Sequence, residues 1–239
     1  MVAIKTKMAH RNNYGNQRDV SQIEYLVIHY TSNDGDTDEG NGNYFANNIV
    51  KASAHYFVDD DSITQTVPDN YAAWAVGGTK YPSCSYTGGG KFYGICTNTN
   101  SISIEICDDV KNGVVYPSAK TIENALDLAR MIMKKYNIPK DRVIRHFEVT
   151  GKLCPAYWCG DTSKDKLWKT EFWDKLDVVD SQEEIEVRYN TVAECPKWAQ
   201  PTIQKLIDEE FLNGDGNGLD LSYDMVRMLV ILDRAGMFD

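Results

Sequence analysis

The chain has 239 residues, 42% of them hydrophobic, and a formal net charge of -10. That length exceeds one average domain and the apolar content is ample for a core. The negative balance argues against a protein built to grip nucleic acid or an anionic membrane surface, and no stretch approaches the roughly 18 to 20 apolar residues of a membrane span.

The start, MVAIKTKMAHRNN, lacks the apolar core of about 7 to 15 residues that a signal peptide needs. His10 in this polar stretch is expected to be exposed. EYLVIHYT reads as an alternating apolar run, a buried strand ending in the reactive side chain of His29. Residues 43 to 51 read as a short helix, followed by a strand in SAHYFVD, where His55 shares a face with Phe57 and lines a groove or packs. Between Gly77 and Asn100 runs a long loop rich in Gly, Ser, Thr and Tyr. Loops of that length are usually functional or mobile. With Trp74 before it, and Tyr86 and Tyr93 within it, the loop offers either sugar-stacking platforms or ordinary packing.

In SISIEIC, alternation puts Ile102, Ile104 and Ile106 on one face and Ser101, Ser103, Glu105 and Cys107 on the other. One face belongs to a core, and the opposite one suits the floor of a groove. The helical spacing of Ile122, Ala125, Leu126, Ala129, Ile132, Met133 and Tyr136 predicts an amphipathic helix over 118–136, with Ser118 as N-cap and Pro139 just past its end. DRVIRH is a second short apolar run ending in a histidine, and GKLCP follows it. KLWKTEFWDKL reads as a helix closing the first domain. The fold class is therefore α/β, a mixed central β-sheet flanked by helices.

A composition shift marks a boundary. DVVDSQEEIEVRYN is acidic and almost without apolar pattern, as a solvated linker over 177–188 would be. A small C-terminal helical domain follows over 189–239. Its first helix is expected to bury Trp198, Ile203, Leu206 and Ile207. Its second presents Met225, Met228, Leu229 and Leu232, widened by Val226, Val230 and Ile231. WAQPTIQKLIDEEFLNGDGNG weakly resembles a fragment of a surface-layer homology module. The DGNG turn is not a calcium loop, because Leu219 and Val226 stand where oxygen ligands belong. About fifty residues make no generous core, so the last helix is expected to meet another surface: the first domain, a second copy of the chain as a homodimer, or a cell wall. No internal repeat is evident.

His29, His146 and Cys154 together read as a metal site. Two imidazoles and a thiolate are a set that zinc favours, and three protein ligands leave a place for water, as in catalytic zinc. A lone histidine at a strand end is ordinarily packed or solvated. Here two of only four histidines occupy such contexts, one of them shortly before a Cys-Pro. Copper would need a His and a Met soon after Cys154, and neither is there. The set suggests a metal-dependent hydrolase. The six cysteines (84, 96, 107, 154, 159, 195) make no convincing disulfide framework. Cys107 reads as a buried thiol, and Cys159 as a weak candidate for a fourth, structural ligand.

The blocks IHYT, SAHYFVDDDSITQTVPD, AAWAVGG, NSISIEIC and RHFEVTGKLCP, in that order, resemble the zinc N-acetylmuramoyl-L-alanine amidases, a family of phage endolysins, bacterial autolysins and peptidoglycan recognition proteins. The similarity covers about residues 20 to 175. It implies one zinc per chain on His29, His146 and Cys154, with Glu105 and Lys152 as catalytic residues. It also implies hydrolysis of the amide between N-acetylmuramic acid and L-alanine in peptidoglycan. Some relatives carry a tyrosine near Ala54, and many carry a histidine near Val76; this chain has neither. A non-catalytic peptidoglycan-binding protein and a zinc peptidase acting on the stem peptide are the alternatives. The expected setting is synthesis in the cytoplasm without a signal peptide, then action on the wall after holin-type release or lysis, with no nucleic acid and no membrane insertion.

Overall fold

The computed structural model describes residues 2–111, 114–177, 188–214, 216 and 218–238. Residues 178–187, most of the expected acidic linker, lie outside the described residues. The chain divides into two compact units, Met1–Val178 and Val179–Asp239.

In chain order the first unit contains β1 (Ile4–Thr6), β2 (Tyr14–Gln17), β3 (Tyr25–Asp34), α1 (Asp38–Asn47), β4 (Tyr56–Val58), β5 (Ile63–Gln65) and β6 (Tyr71–Ala73). Then come α2 (Cys84–Thr87), β7 (Ser101–Lys111), β8 (Val114–Tyr116), α3 (Ala119–Tyr136), β9 (Val143–Arg145), α4 (His146–Thr150) and α5 (Thr162–Glu171). Six strands run in the order β1-β5-β4-β7-β3-β9, with β8 attached to β7 as the seventh. β4, β7, β3 and β9 are parallel, and β5 runs against β4, so the sheet is mixed as expected.

β3 is covered on both faces, which explains why its apolar run is continuous rather than alternating. Leu26 and Ile28 enter the main core with Ile102, Ile104 and Ile106, while Val27 packs with Ile144 and Val149 on the other side. α3 closes the main core through Ile122, Ala125, Leu126, Ala129 and Ile132. Each buried aliphatic side chain of this size is worth about 1.5–3 kcal/mol. Ser118 caps this helix, accepting from the Thr121 N–H at 3.0 Å, and Asn137 ends it in the left-handed region (φ 53°).

Three local expectations shift. The helix expected at 43–51 lies instead at Asp38–Asn47, starting where the Thr37 hydroxyl accepts from the Gly40 N–H. It ends where the buried Asn13 carboxamide donates to the Phe45 and Asn48 carbonyls and accepts from the Val50 and Lys51 N–H groups. The closing helix begins at Thr162, four residues earlier than Lys166, because Asp161 caps it through the Lys164 N–H. His10 is half-buried and accepts from the Asn12 N–H.

The second unit holds β10 (Arg188–Tyr189), α6 (Gln200–Asp208), β11 (Leu221–Ser222) and α7 (Tyr223–Arg234), with β10 and β11 antiparallel. Its core is Cys195, Ala199, Ile203, Leu221, Val226 and Val230. Trp198, expected to be buried, precedes α6, is exposed, and meets the exposed Tyr223 edge-on. The stripe expected on α7 is rotated: Val226 and Val230, four apart, face the core, while Met225, Met228 and Ile231 are exposed. Among the described residues no helix is long and apolar enough to cross a membrane.

Candidate metal centre

Three adjacent parallel strands bring the site together. In register, His29 of β3 stands opposite Glu105 of β7, and Ile28 stands opposite Arg145 of β9. His146 therefore follows immediately beyond the neighbouring strand end. It is the first residue of α4, not the strand residue that the apolar run suggests. The switch from strand to helix is made by its neighbours. Glu148 accepts from the Arg145 N–H at 2.7 Å and from its guanidinium at 2.8 Å. The buried Arg145 also donates to Asp165 at 2.8 Å and to the Trp158 carbonyl. α4 ends at Gly151 with φ 82°, where a Cβ would fall 2.1 Å from the Cys84 sulfur, so only glycine fits. The chain then doubles back, and the Phe147 N–H bonds the Cys154 carbonyl at 3.0 Å.

This return puts the Cys154 Sγ 3.8 Å from His29 Nδ1, and the His29 and His146 rings 4.7 Å apart. One donor atom from each of the three residues lies within 4.8 Å of the other two, and all three residues are buried. Tetrahedral zinc with N and S bonds of about 2.0 and 2.3 Å separates those donors by roughly 3.6 Å. His29 Nε2, both nitrogens of His146, and Glu105 Oε2 are buried without a hydrogen-bond partner. Orphaned donors and acceptors of this kind are rare in native interiors and call for an explanation. A divalent cation among them supplies one, and the donor set fits zinc.

The electrostatics agree. Burial, reinforced by the nearby His146, Lys152 and His55, holds His29 well below the usual histidine range, and burial with Lys152 lowers His146 to about 4. Both imidazoles are therefore neutral near pH 7, the form that ligates metal. The 3.8 Å approach of His29 Nδ1 to Glu105 is for that reason a contact and not an ion pair. Burial raises Glu105 to about 8, with Asp108 and Asp36 adding and Lys152 opposing. Burial also raises the Cys154 thiol well above its ordinary value, with Glu105 adding and the Tyr30 backbone N–H and Lys152 opposing. A nearby cation reverses both rises.

Lys152 is exposed and, with His146 and Thr150, lines an open cavity of about 470 Å³ whose other wall is the segment from Ala75 to Pro82. Of the aromatic residues weighed for stacking, Trp74 is half-buried, whereas Tyr86 and Tyr93 are exposed. Ala54, near which some relatives carry a tyrosine, and Val76, near which many carry a histidine, are both buried. All six cysteines are free. Cys159 stands outside the three-residue group and donates to the Pro155 carbonyl.

His55 is a packed residue. Its Nδ1 accepts from the Ser103 N–H at 3.0 Å, which leaves the proton on Nε2 to donate to the Tyr71 carbonyl at 3.1 Å. The buried Arg18 lies 3.1 Å from that same nitrogen and donates to the carbonyls of Asp69, Thr99 and Ser101.

Two buried groups close to the centre escape sequence reasoning. Asp108 Oδ1 and the Tyr157 hydroxyl have no hydrogen-bond partner. Burial and the nearby Asp36 raise Asp108 to about 7, and Asp108 in turn helps raise Glu105. The adjacent acids in ICDD give no hint of this, since such pairs are ordinarily solvated. Arg145 has a readable signal in its spacing to Glu148.

Comparison with known proteins gives a consistent picture. Residues 19–157 match the family described as N-acetylmuramoyl-L-alanine amidase. The chain is 32% identical over 147 residues to the N-acetylmuramoyl-L-alanine amidase CwlL of Bacillus licheniformis, covering 59% of this chain and 38% of that protein. It is 30% identical over 148 residues to BlyA, an N-acetylmuramoyl-L-alanine amidase of Bacillus subtilis (strain 168), covering 59% and 39%. The chain thus spans about two fifths of the length of these curated relatives. Among solved structures, PlyL superposes with a TM-score of 0.56 at 27% identity, covering 73% of this chain and 97% of that one. The catalytic domain of XlyA gives 0.52 at 28%, with the same coverage.

Proposed function

This chain belongs to the N-acetylmuramoyl-L-alanine amidase family, and on that premise we propose that it hydrolyses the amide between the lactyl group of N-acetylmuramic acid and L-alanine in peptidoglycan. The observation that carries the reading is the buried cluster of His29, His146 and Cys154 beside Glu105, with His29 Nε2 and both His146 nitrogens unpartnered. These three residues would hold one zinc ion per chain, which when bound supplies Lewis acidity toward the carbonyl and an acidified water.

The protein's own groups do the rest. Glu105, with one oxygen free of protein partners, takes a proton from the attacking water and returns it to the departing amine. Lys152, exposed on the cavity wall, brings its ammonium to the oxyanion that develops on the lactyl oxygen. Arg145 and Glu148 hold the first turn of α4 and so orient His146. The cavity beside Lys152 receives the substrate.

The non-catalytic alternative finds no support, because the matched relatives are amidases and the thiol ligand candidate is present. A stem-peptide peptidase is separated by its products. Digestion of purified walls should release peptides with new L-alanine amino termini and no new reducing sugar ends. New reducing ends, or cuts within the peptide, overturn the reading. The second unit serves association with the wall or with a second copy of the chain, and release to the wall depends on a membrane-permeabilising partner.

A further inference from the structure

A second open cavity, of about 710 Å³, is lined in part by Trp74, next to the Ala75–Pro82 segment that walls the Lys152 cavity. Acidic residues outnumber basic ones 35 to 25 in this chain, yet no carboxylate is among the described residues lining this cavity. Its exposed cations are Arg11 and Lys51, and most of its remaining polar lining is amide.

The Arg11 guanidinium is held in place, and Lys51 is fixed at its backbone. Arg11 donates to the Tyr14 carbonyl at 2.8 Å and lies over the Tyr14 ring at 4.8 Å. Lys51 has φ 57°, a left-handed conformation that a non-glycine residue adopts at a cost. What imposes it is the Asn13 carboxamide, fully buried, whose oxygen accepts from the N–H groups of Val50 and Lys51. Neither cation has a carboxylate partner among the described residues. Trp74 is clamped through its backbone, which exchanges hydrogen bonds with Ser53 at 3.0 and 3.2 Å. Its indole N–H has no acceptor among the described residues. The indole packs close to Gly15, where a Cβ would lie 3.0 Å from Nε1. Asn98 lines the same cavity and accepts from the Ala75 and Val76 N–H groups at 3.1 and 2.9 Å. It thereby ties Trp74 to the strap that forms the wall of the Lys152 cavity.

An indole with a free N–H, on a backbone tied to Ser53 and flanked by Arg11, Lys51 and amides, suits a sugar ring bearing an anion. We infer that this cavity binds peptide-free glycan through the lactyl carboxylate of N-acetylmuramic acid. The choice of this anion rests on the amidase reading. Hydrolysis consumes one water and converts the neutral lactyl amide into a carboxylate on the sugar and an ammonium on alanine. Stripped glycan therefore carries an anion that the substrate lacks. A cavity that selects it keeps the enzyme on the strand it has already processed, with the next uncut amide close to Lys152.

The test is titration of the zinc-loaded full-length chain with three probes: peptide-free glycan of alternating N-acetylglucosamine and N-acetylmuramic acid, a neutral chitin oligosaccharide of equal length, and a glycerol phosphate oligomer. The first should bind about tenfold or more tighter than the neutral probe, the worth of one charge-assisted hydrogen bond, and should weaken with salt. Lys51→Asn, which tolerates the left-handed backbone, and Arg11→Gln should each lose about tenfold in affinity. Both should leave hydrolysis of a small soluble muropeptide unchanged. Equal affinity for the neutral probe, tighter binding of glycerol phosphate, or full affinity in both variants overturns the inference. So does binding that survives both substitutions but disappears on chelation, which assigns the carboxylate to the metal centre. Failure of the amidase reading is read separately, as the absence of new alanine amino termini.

Discussion

The first unit buries histidines in two quite different surroundings. At the metal centre His29 and His146 leave three of their four ring nitrogens without a hydrogen-bond partner, and Glu105 beside them leaves one oxygen so. At the knot between β4, β6 and β7, both nitrogens of His55 are bonded to the backbone. Arg18 stands against the ring and is itself tied to carbonyls. Burial lowers the proton affinity of all three imidazoles, His55 to about 3, so the shift does not distinguish them. The unsatisfied atoms do. A complete set of partners marks a residue that holds the fold, and an incomplete one marks a place prepared for something else.

The largest effect that would break this comparison comes from the ligand set. Cys154→Ser should remove a thiolate, lose the zinc, and reduce wall hydrolysis to background, checked by elemental analysis alongside a digestion assay. A serine variant that keeps both metal and rate would show that Cys154 only packs.

Next come the groups that act without holding metal. Glu105→Gln should retain zinc and fold while losing roughly 10²- to 10⁴-fold in rate, the usual worth of general acid–base catalysis. Lys152→Ala should cost about 10²-fold, as for loss of an oxyanion donor. Steady-state rates on a soluble muropeptide read both, and a Glu105→Gln enzyme at the parental rate means that another group is the base.

The knot should respond in stability instead. His55→Ala should destabilise the chain by about 1–3 kcal/mol, because the Ser103 N–H loses its buried acceptor, with little change in turnover. The sign with pH follows from the lowered value. Between about 3 and the unfolded value near 6.5 the unfolded chain binds the extra proton, so His55 costs stability as pH falls through that window. Denaturant midpoints at pH 7 and pH 5 should therefore drop less in His55→Ala than in the parent. Equal drops remove His55 as the source.

The smallest effect concerns the second unit. A chain ending near Leu176 should keep zinc and act on a small muropeptide at close to the full rate, but lose activity on intact walls or change its mass in light scattering. Inactivity on the soluble substrate in a folded, metal-loaded truncation would assign the C-terminal segment to the catalytic site.

How much of this was legible in the sequence depended on whether a local rule or a distant partner decided the outcome. β7 was readable from its apolar face, Ile102, Ile104 and Ile106, which is fully buried, but its polar face is buried too at Ser101, Ser103 and Cys107, with only Glu105 partly open. α3 was readable because Ser118, its apolar stripe and Pro139 agree on one helix. α1 was misplaced because its Gly- and Asn-rich sequence carries no apolar stripe, and its end is set by Asn13, more than thirty positions away. On α7 two apolar stripes overlap, and which one faces inward was decided by packing against Ile203 and Leu221. The candidate ligands were visible as residue types in or just after apolar runs, although His29 lies in the middle of β3 and not near its end. That His146 opens a helix was readable only from the local Arg145–Glu148 spacing, against the apolar run that suggests a strand. The buried Asp108 Oδ1 and Tyr157 hydroxyl, both without a partner, left no sequence signal.

The most direct test is the zinc content of His146→Gln and His55→Ala, purified side by side from the same metal-containing medium. The account predicts about one zinc per folded chain in His55→Ala, as in the parent, and almost none in His146→Gln. Equal zinc in both, or loss of the metal from His55→Ala alone, would contradict it.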